Sequence, residues 1–371
     1  VELGIRDVLL HAHELRGLAT SSPMIVIPVL RLLLCILHRV FGPHDEQEWF
    51  HLWQQGQWDE HLLNAYLDEW RHRFELFGDD EERRFYQMKP QSASRAELKH
   101  AVVGKDGGPT LFSHETNSDF RGVHAAEAAR IVLAAQCFRA GGRTKGSASY
   151  LVAAPCLNRM LYYLSGRTFF ETLMLNLPAY PDPSTMHSTA DDRPSWEMDD
   201  PYRVGRRELK GEVEPLGYLD YLSWQSLSMW LEPPADGHLV RECSQEKGLP
   251  KLASHVLDPM VHYRAQKKAG YSSRVPNSER ALWRDSSTLL QPDSRSQDRV
   301  PRCLSWLRRL LEVDYDGVLD DLPRPTLHAV GAKTKDGGGA ISFELEEHMP
   351  LPTVYLADEN LFTDLQLAMN K

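Results

Sequence analysis

The 371-residue chain has no excess of positive charge. Its 42 lysines and arginines stand against 52 aspartates and glutamates, a formal net charge of −10. That is not the basic footprint of a free-standing nucleic-acid binder, although a subunit can be acidic overall and basic on one face. Cysteine is scarce. Cys35, Cys137, Cys156, Cys243 and Cys303 are scattered with no CxxC, which argues against a zinc site and suits a reducing cytoplasm. No secretory leader is visible. The apolar run Met24–Leu37 contains Pro28 and Arg31 and is expected to be too short to cross a bilayer. No repeat recurs at a fixed period. GxxxxGK[ST], GxSxG, HExxH and the kinase DFG set are all missing, so no familiar phosphate-transfer or hydrolytic signature is present.

What is present is an ordinary globular composition, 42% hydrophobic and 25% charged, in a chain long enough for ample core. Apolar spacing predicts a helix over 3–18. In it His11 and His13 sit two apart and point to different sides, which makes them poor metal co-ligands. A second helix over 24–40 is apolar nearly all round and should be buried, with Arg31 and Arg39 near its ends or on polar partners. Gly42-Pro43 stops it. Glu46–Gln55 forms a short helix carrying Trp49 and Trp53. Asp59 caps the next, which runs to about Leu76 with Leu62, Leu63, Tyr66, Leu67, Trp70 and Phe74 inward.

Further helices are expected at Glu127–Phe138, Phe169–Leu177, Pro301–Leu311 and Asn360–Met369. In the third of these, Leu304, Leu307, Leu310 and Leu311 form the apolar side, and Arg302, Arg308 and Arg309 the polar one. GYLDYLSWQSLSMWLEP mixes a short helix into a strand. Strands are expected at Leu239–Glu242, Ala253–Val256, Thr326–Val330 and Ala340–Leu345. Pro178–Val204 is a proline- and aspartate-rich excursion. These patterns imply an α+β fold: a large mixed domain over 1–357, with a helical block at 1–90 and a loop-rich part with short strands at 91–357.

Three polar, glycine-rich loops stand out. The first holds Phe112, Ser113 and His114. The second holds Gly141, Gly142, Arg143, Thr144 and Lys145. The third, GAKTKDGGG, joins two strands and holds Lys333, Lys335, Asp336, Gly337 and Gly338. Glycine lets backbone approach a ligand closely, and Lys and Arg add charge beside exposed N–H groups, which is the chemistry of phosphate contact. Loops also gather Gly, Lys and Asp for no such reason, so the residues alone leave both readings open. His114 and His124 could form a catalytic group, but no nucleophile or metal-ligand spacing accompanies them.

Several stretches, taken in order, resemble the large subunit of the type I-E CRISPR surveillance complex Cascade, the CasA family. They are VLRLLLCILHRVFGP with the tryptophan helix, YLDEWRHRFELF and RRFYQM; then TLFSH; then the glycine loop with GRTFFETLMLNL; then PLGYLDYLSWQSLSMWLEP, DPMVHYR and ALWRDSSTLL. The resemblance covers most of the chain. It implies a subunit that reads the protospacer-adjacent motif of double-stranded DNA from the minor groove, wedges the duplex open to start an R-loop, helps hold the displaced strand and docks a helicase–nuclease. Its partners would be guide RNA (crRNA) and the other Cascade subunits, in the cytoplasm and away from membranes. It would cut nothing itself and would need no cofactor. Residue by residue, Phe112, Ser113 and His114 resemble the family's guide-end loop. Gly141, Gly142 and Arg143, with Lys145, resemble its motif-reading loop, and Lys251 falls near its motif-contacting lysine. Lys333, Lys335, Asp336, Gly337 and Gly338 fall where the family carries its wedge, with Asp-Gly where some relatives have Gln. The cysteine cluster of some relatives is reduced to Cys243, so no zinc is expected. The family's opening strand has no counterpart here, and 358–371 would be the start of a truncated C-terminal helical bundle. Two rival readings remain: a nucleic-acid-processing enzyme using His114 and His124, and a purely structural subunit.

Overall fold

The computed structural model describes residues 1–101, 120–143, 150–234, 237–268, 270–291, 297–314, 316–320, 322, 324–335 and 341–369. At its centre lies the helix Pro23–Phe41. Pro23 takes the first helical position and Ser22 Oγ accepts from Met24 N at 3.2 Å, an ordinary N-terminal cap. Every residue from Met24 to His38 except Val29 is buried. The helix has 19 residues, longer than the uninterrupted apolar run, and by length and composition it could cross a membrane; here it is surrounded by protein. Arg31 is the polar exception inside it. Its guanidinium meets Asp258 at 2.5 Å, and the same carboxylate accepts from Tyr221 Oη at 2.7 Å and from Met260 N at 2.9 Å. Burial disfavours the Asp258 charge, but Arg31 and these donors outweigh it and hold the carboxyl below its usual range.

Among the described residues there are three sheets of three strands and two short hairpins. The main sheet places Thr326–Thr334 between Met160–Ser165 and Ile341–Pro350, antiparallel on both sides. The outer strand carries Glu344, Glu346 and Glu347, charges that discourage edge pairing with another chain. A second sheet joins Ala96–Glu97, Glu242–Lys247 and Leu227–Leu231, and a third Glu208–Leu209, Glu212–Val213 and Lys251–Leu252. One continuous core runs from Leu9 through the central helix and both larger sheets to Phe362, on the final helix Glu359–Met369.

The structure corrects several expectations. The first helix is only Ile5–Leu10, because the Ala12 and Leu15 carbonyls turn away to accept from Phe170 N at 2.9 Å and Phe169 N at 2.7 Å. Asp59 does cap its helix, through Oδ1 to Leu62 N at 2.9 Å, but that helix stops at Glu69 and Leu62 is half exposed. Ala253–Val256 is a turn, closed by Val256 N to Ala253 O at 2.9 Å. The strand expected at Leu239–Glu242 starts at Glu242, while Val240 makes an isolated bridge to Val123. The hairpin strands are longer than expected, nine and ten residues. In the helix Arg302–Val313 the supposed polar side is largely buried. Arg302 reaches Asp182 at 2.7 Å and Thr185 Oγ1 at 2.8 Å, and Arg308 donates to the Leu290 and Gln291 carbonyls. Periodicity cannot distinguish a solvated arginine from one that finds acceptors on a neighbouring loop.

Candidate nucleic-acid interface

The second glycine loop has a closed neck. Gly142 N donates to Leu151 O at 3.0 Å and Leu151 N returns a bond to Gly142 O at 2.8 Å. Gly142 sits at φ +136, a conformation that side-chain-bearing residues rarely adopt. A Cβ on Gly141 would lie 3.0 Å from Ala153 N and 3.2 Å from Leu151 O. The backbone at Gly142 thus favours glycine, and a side chain at Gly141 would crowd Ala153 and Leu151. Arg143, the first residue beyond it, is exposed. Thr144 and Lys145 lie outside the described residues.

The ends of the first loop are anchored on the second sheet. Leu98 N donates to Arg241 O at 2.7 Å, and Val123 bridges Val240. Arg139 leaves the helix Ala125–Phe138 and donates through Nη1 to His100 O at 2.5 Å, while its own carbonyl accepts from Ala154 N at 2.9 Å. One arginine thus ties the stem of the first loop to the stem of the second. Phe112, Ser113 and His114 fall outside the described residues. His124 is exposed, at the residue preceding that same helix.

The third loop belongs to the same scaffold. Seven residues past Leu151, Asn158 adopts a left-handed conformation at φ 60. Its N–H donates to Ala332 O at 2.9 Å, and its Oδ1 accepts from Thr334 N at 2.9 Å. Asn158 so pins the hairpin just below its tip. Lys333 is half-buried, Lys335 is exposed, and Asp336, Gly337 and Gly338 lie outside the described residues. The segment 151–158 therefore links the glycine neck to the hairpin base. Arg139 and Asn158 were not singled out from sequence; Asn158 alone carries a signal, since asparagine tolerates the left-handed region better than most residues.

Lys251 is placed elsewhere. It follows the far end of the strand Glu242–Lys247 whose start anchors the first loop, and its Nζ pairs with Glu212 Oε1 at 2.6 Å. Among the described residues no group of three or more His, Cys, Asp or Glu side chains is arranged to hold a metal ion, and the five cysteines are free and buried. The described residues offer one glycine neck closed by backbone hydrogen bonds, with exposed Arg143 just beyond it and exposed Lys335 beside the hairpin. That is equipment for shallow contact with an anionic polymer.

The sequence matches the family described as CRISPR-associated protein Cse1 over residues 1–371. It is 31% identical to the CRISPR-associated protein CasA/Cse1 of Thermus thermophilus over 99% of this chain and 71% of that one. The solved Thermus thermophilus CasA (Cse1) structure superposes with a TM-score of 0.79 at 27% identity, covering all of this chain and 75% of the other. In fold, a chain of a CRISPR RNA-guided surveillance complex is also similar, with a TM-score of 0.78 at 23% identity over 99% of this chain and 75% of that one.

Proposed function

This chain belongs to the CRISPR-associated Cse1 (CasA) family, the large subunit of the Cascade surveillance complex, and from that premise we propose that it reads the protospacer-adjacent motif of target DNA and starts strand separation. The observation that carries the proposal is the shared scaffold. Arg139 joins the stems of the first two loops, and the Leu151–Asn158 segment joins the second to the glycine hairpin. A motif reader must hold a groove contact and a wedge in fixed relation, and a rigid link of a few residues does so.

Motif search has to sample many sites, so contacts should be few and shallow. The minor groove offers such a degenerate pattern, chiefly A·T against G·C. Gly141, Gly142 and Arg143, with Lys145, are assigned to that groove. Lys333, Lys335, Asp336, Gly337 and Gly338 are assigned to the wedge. Unstacking the first base steps costs a few kcal/mol, and guide pairing then carries sequence specificity. Phe112, Ser113 and His114 are assigned to the guide end, beside crRNA and the other subunits. Lys251 is the outlying assignment, since it would have to leave Glu212 to touch DNA. The protein itself is proposed to be non-catalytic, to act in the cytoplasm, and to pass the opened target to a helicase–nuclease.

The test is binding by the complex reconstituted with guide RNA, across a motif library. Gly141→Asp, or deletion of 335–338, should abolish the preference for motif-bearing targets while co-purification with the other subunits survives. Equal binding by the unsubstituted complex to targets with and without the motif overturns the proposal. Metal-dependent cleavage of labelled DNA by the purified chain, lost in His124→Ala, would favour the enzymatic reading instead.

A further inference from the structure

Two cysteines lie beneath the neck of the second glycine loop and are left unused by the assignments above. At the neck Gly142 and Leu151 exchange two backbone bonds; below it Ala154 N donates to Arg139 O at 2.9 Å, and Cys156 N to Cys137 O at 3.0 Å. The two segments thus run antiparallel in one register, down to the last turn of the helix Ala125–Phe138, where Cys137 stands opposite Cys156. Directly opposed, hydrogen-bonded residues of antiparallel chains hold their Cα atoms about 5.5 Å apart, and a disulfide spans about 4.4–6.8 Å. The two thiols share a side-chain hydrogen bond, and both cysteines are free.

Their surroundings set this pair apart from the other three cysteines. Burial pushes Cys243 up to about 11, Cys303 up to about 12 and Cys35 well above the ordinary thiol range. Cys137 is held below that range, first by the hydrogen bond from the Cys156 thiol and then by the Arg31 guanidinium, which together outweigh its own burial. Cys156 is pushed up, chiefly by burial and then by its bond to Cys137. One sulfur is thus favoured as the thiolate, the nucleophilic form, while its neighbour keeps its proton. Cys137 also retains 8% exposure and Cys156 0%, so a small reagent meets Cys137 first.

We propose that Cys137 and Cys156 form a reactive pair that hydrogen peroxide converts to a disulfide, and that this bond locks the neck of the glycine loop. The Cys137 thiolate attacks the peroxide, the O–O bond breaks, and Cys137 becomes a sulfenic acid as hydroxide leaves. The Cys156 sulfur then attacks the Cys137 sulfur; the S–O bond breaks, and the departing oxygen leaves as water. The two thiols give up two electrons and two protons, and the peroxide is reduced to two waters. The disulfide closes residues 137–156 into a ring that carries Gly141, Gly142 and Arg143, and a cross-link of this kind acts by restricting the open forms of the segment it closes. Its bearing on target recognition rests on the motif-reading assignment; the bond and the locked neck do not.

The full chain is reduced, exposed to hydrogen peroxide, denatured in iodoacetamide and digested without reduction. A linked pair of peptides containing Cys137 and Cys156 is expected, with Cys35, Cys243 and Cys303 alkylated and with dithiothreitol reversing the change. In the oxidised chain the amides of Gly142 and Leu151 should exchange with solvent about tenfold more slowly than in the reduced one. Cys156→Ser should halt the reaction at the sulfenic acid, which dimedone traps on Cys137, and Cys137→Ser should leave Cys156 unmodified. The unsubstituted chain carries the test if either variant fails to fold. Full alkylation of Cys137 after peroxide overturns the proposal, as does a disulfide to any other cysteine, or a linked pair that leaves exchange at Gly142 and Leu151 unchanged. Motif discrimination by the assembled complex is measured in parallel. If it persists while no Cys137–Cys156 bond forms, the cysteine pair falls and the motif reading stands. If it is absent while the bond forms and slows exchange at the neck, the reverse holds.

Discussion

Gly331 shows how much a single residue can depend on neighbours far away in sequence. It lies in the middle strand of the main sheet, where a Cβ would sit 2.6 Å from Pro276 Cγ and 2.7 Å from Arg159 O. Nothing in GAKTKDGGG distinguishes it from the glycines of the tip. Replacement by alanine has to move backbone, which typically costs about 1–3 kcal/mol. Gly331→Ala should therefore lower the urea midpoint with an unchanged slope, and an unaltered midpoint would show that the strand yields freely. Other residues were legible. Asp59 caps its helix as short acidic residues do, and Trp49 stacks on Trp53 at 5.1 Å, as i, i+4 spacing requires. Arg31 was expected to find polar partners and finds Asp258, more than two hundred residues later in the chain. No local pattern names such a partner.

Among the elements, the hairpin depends most on outside support. Among the described residues no further strand pairs with its outer strand, and Asn158 bonds to Thr334 near the end of its inner strand. Asn158→Gly keeps the left-handed backbone accessible and removes the side-chain acceptor shared by Thr334 N and Thr334 Oγ1. A hydrogen bond of this kind is worth about 1 kcal/mol, so the Thr334 amide should exchange with solvent roughly fivefold faster, with little change in global stability. Exchange at the unsubstituted rate would show that Asn158 does not hold the hairpin. Elements with strong periodicity, such as the central helix and Glu46–Gln55, agreed with expectation to within a residue or so. Elements whose ends are set by tertiary hydrogen bonds did not. The first helix loses its last turns to the Phe169 helix, and Ala253–Val256 turns instead of pairing.

For the whole molecule, the protonation of buried histidines lowers stability in mild acid. Burial brings His38 down to about 3, and burial together with His348 brings His328 to about 4, with His262 also near 4. An unfolded imidazole takes up its proton near pH 6.5. Between about pH 6.5 and 4 these three sites therefore bind more protons in the unfolded chain than in the folded one, and their contribution to stability falls as pH falls through that window. Denaturant unfolding from pH 8 to 4 should show this loss. His38 lies between Tyr180 and Tyr218, and neither ring nitrogen has a hydrogen-bond partner. His38→Phe leaves no polar group orphaned there and should flatten the acid limb; an unchanged limb would place the proton uptake elsewhere.

On this scale, composition and periodicity by themselves determined the α+β class, the buried central helix and the existence of three glycine loops. Those properties follow from local spacing and local charge. Only the tertiary structure decided that Gly141 and Gly142 form a hydrogen-bonded neck, that Arg139 and the 151–158 segment join the three loops on one scaffold, and that Lys251 sits apart against Glu212. The reason is physical. A loop's composition states what it can touch, but its position is set by backbone hydrogen bonds between segments distant in sequence, and those bonds leave almost no trace in side-chain identity.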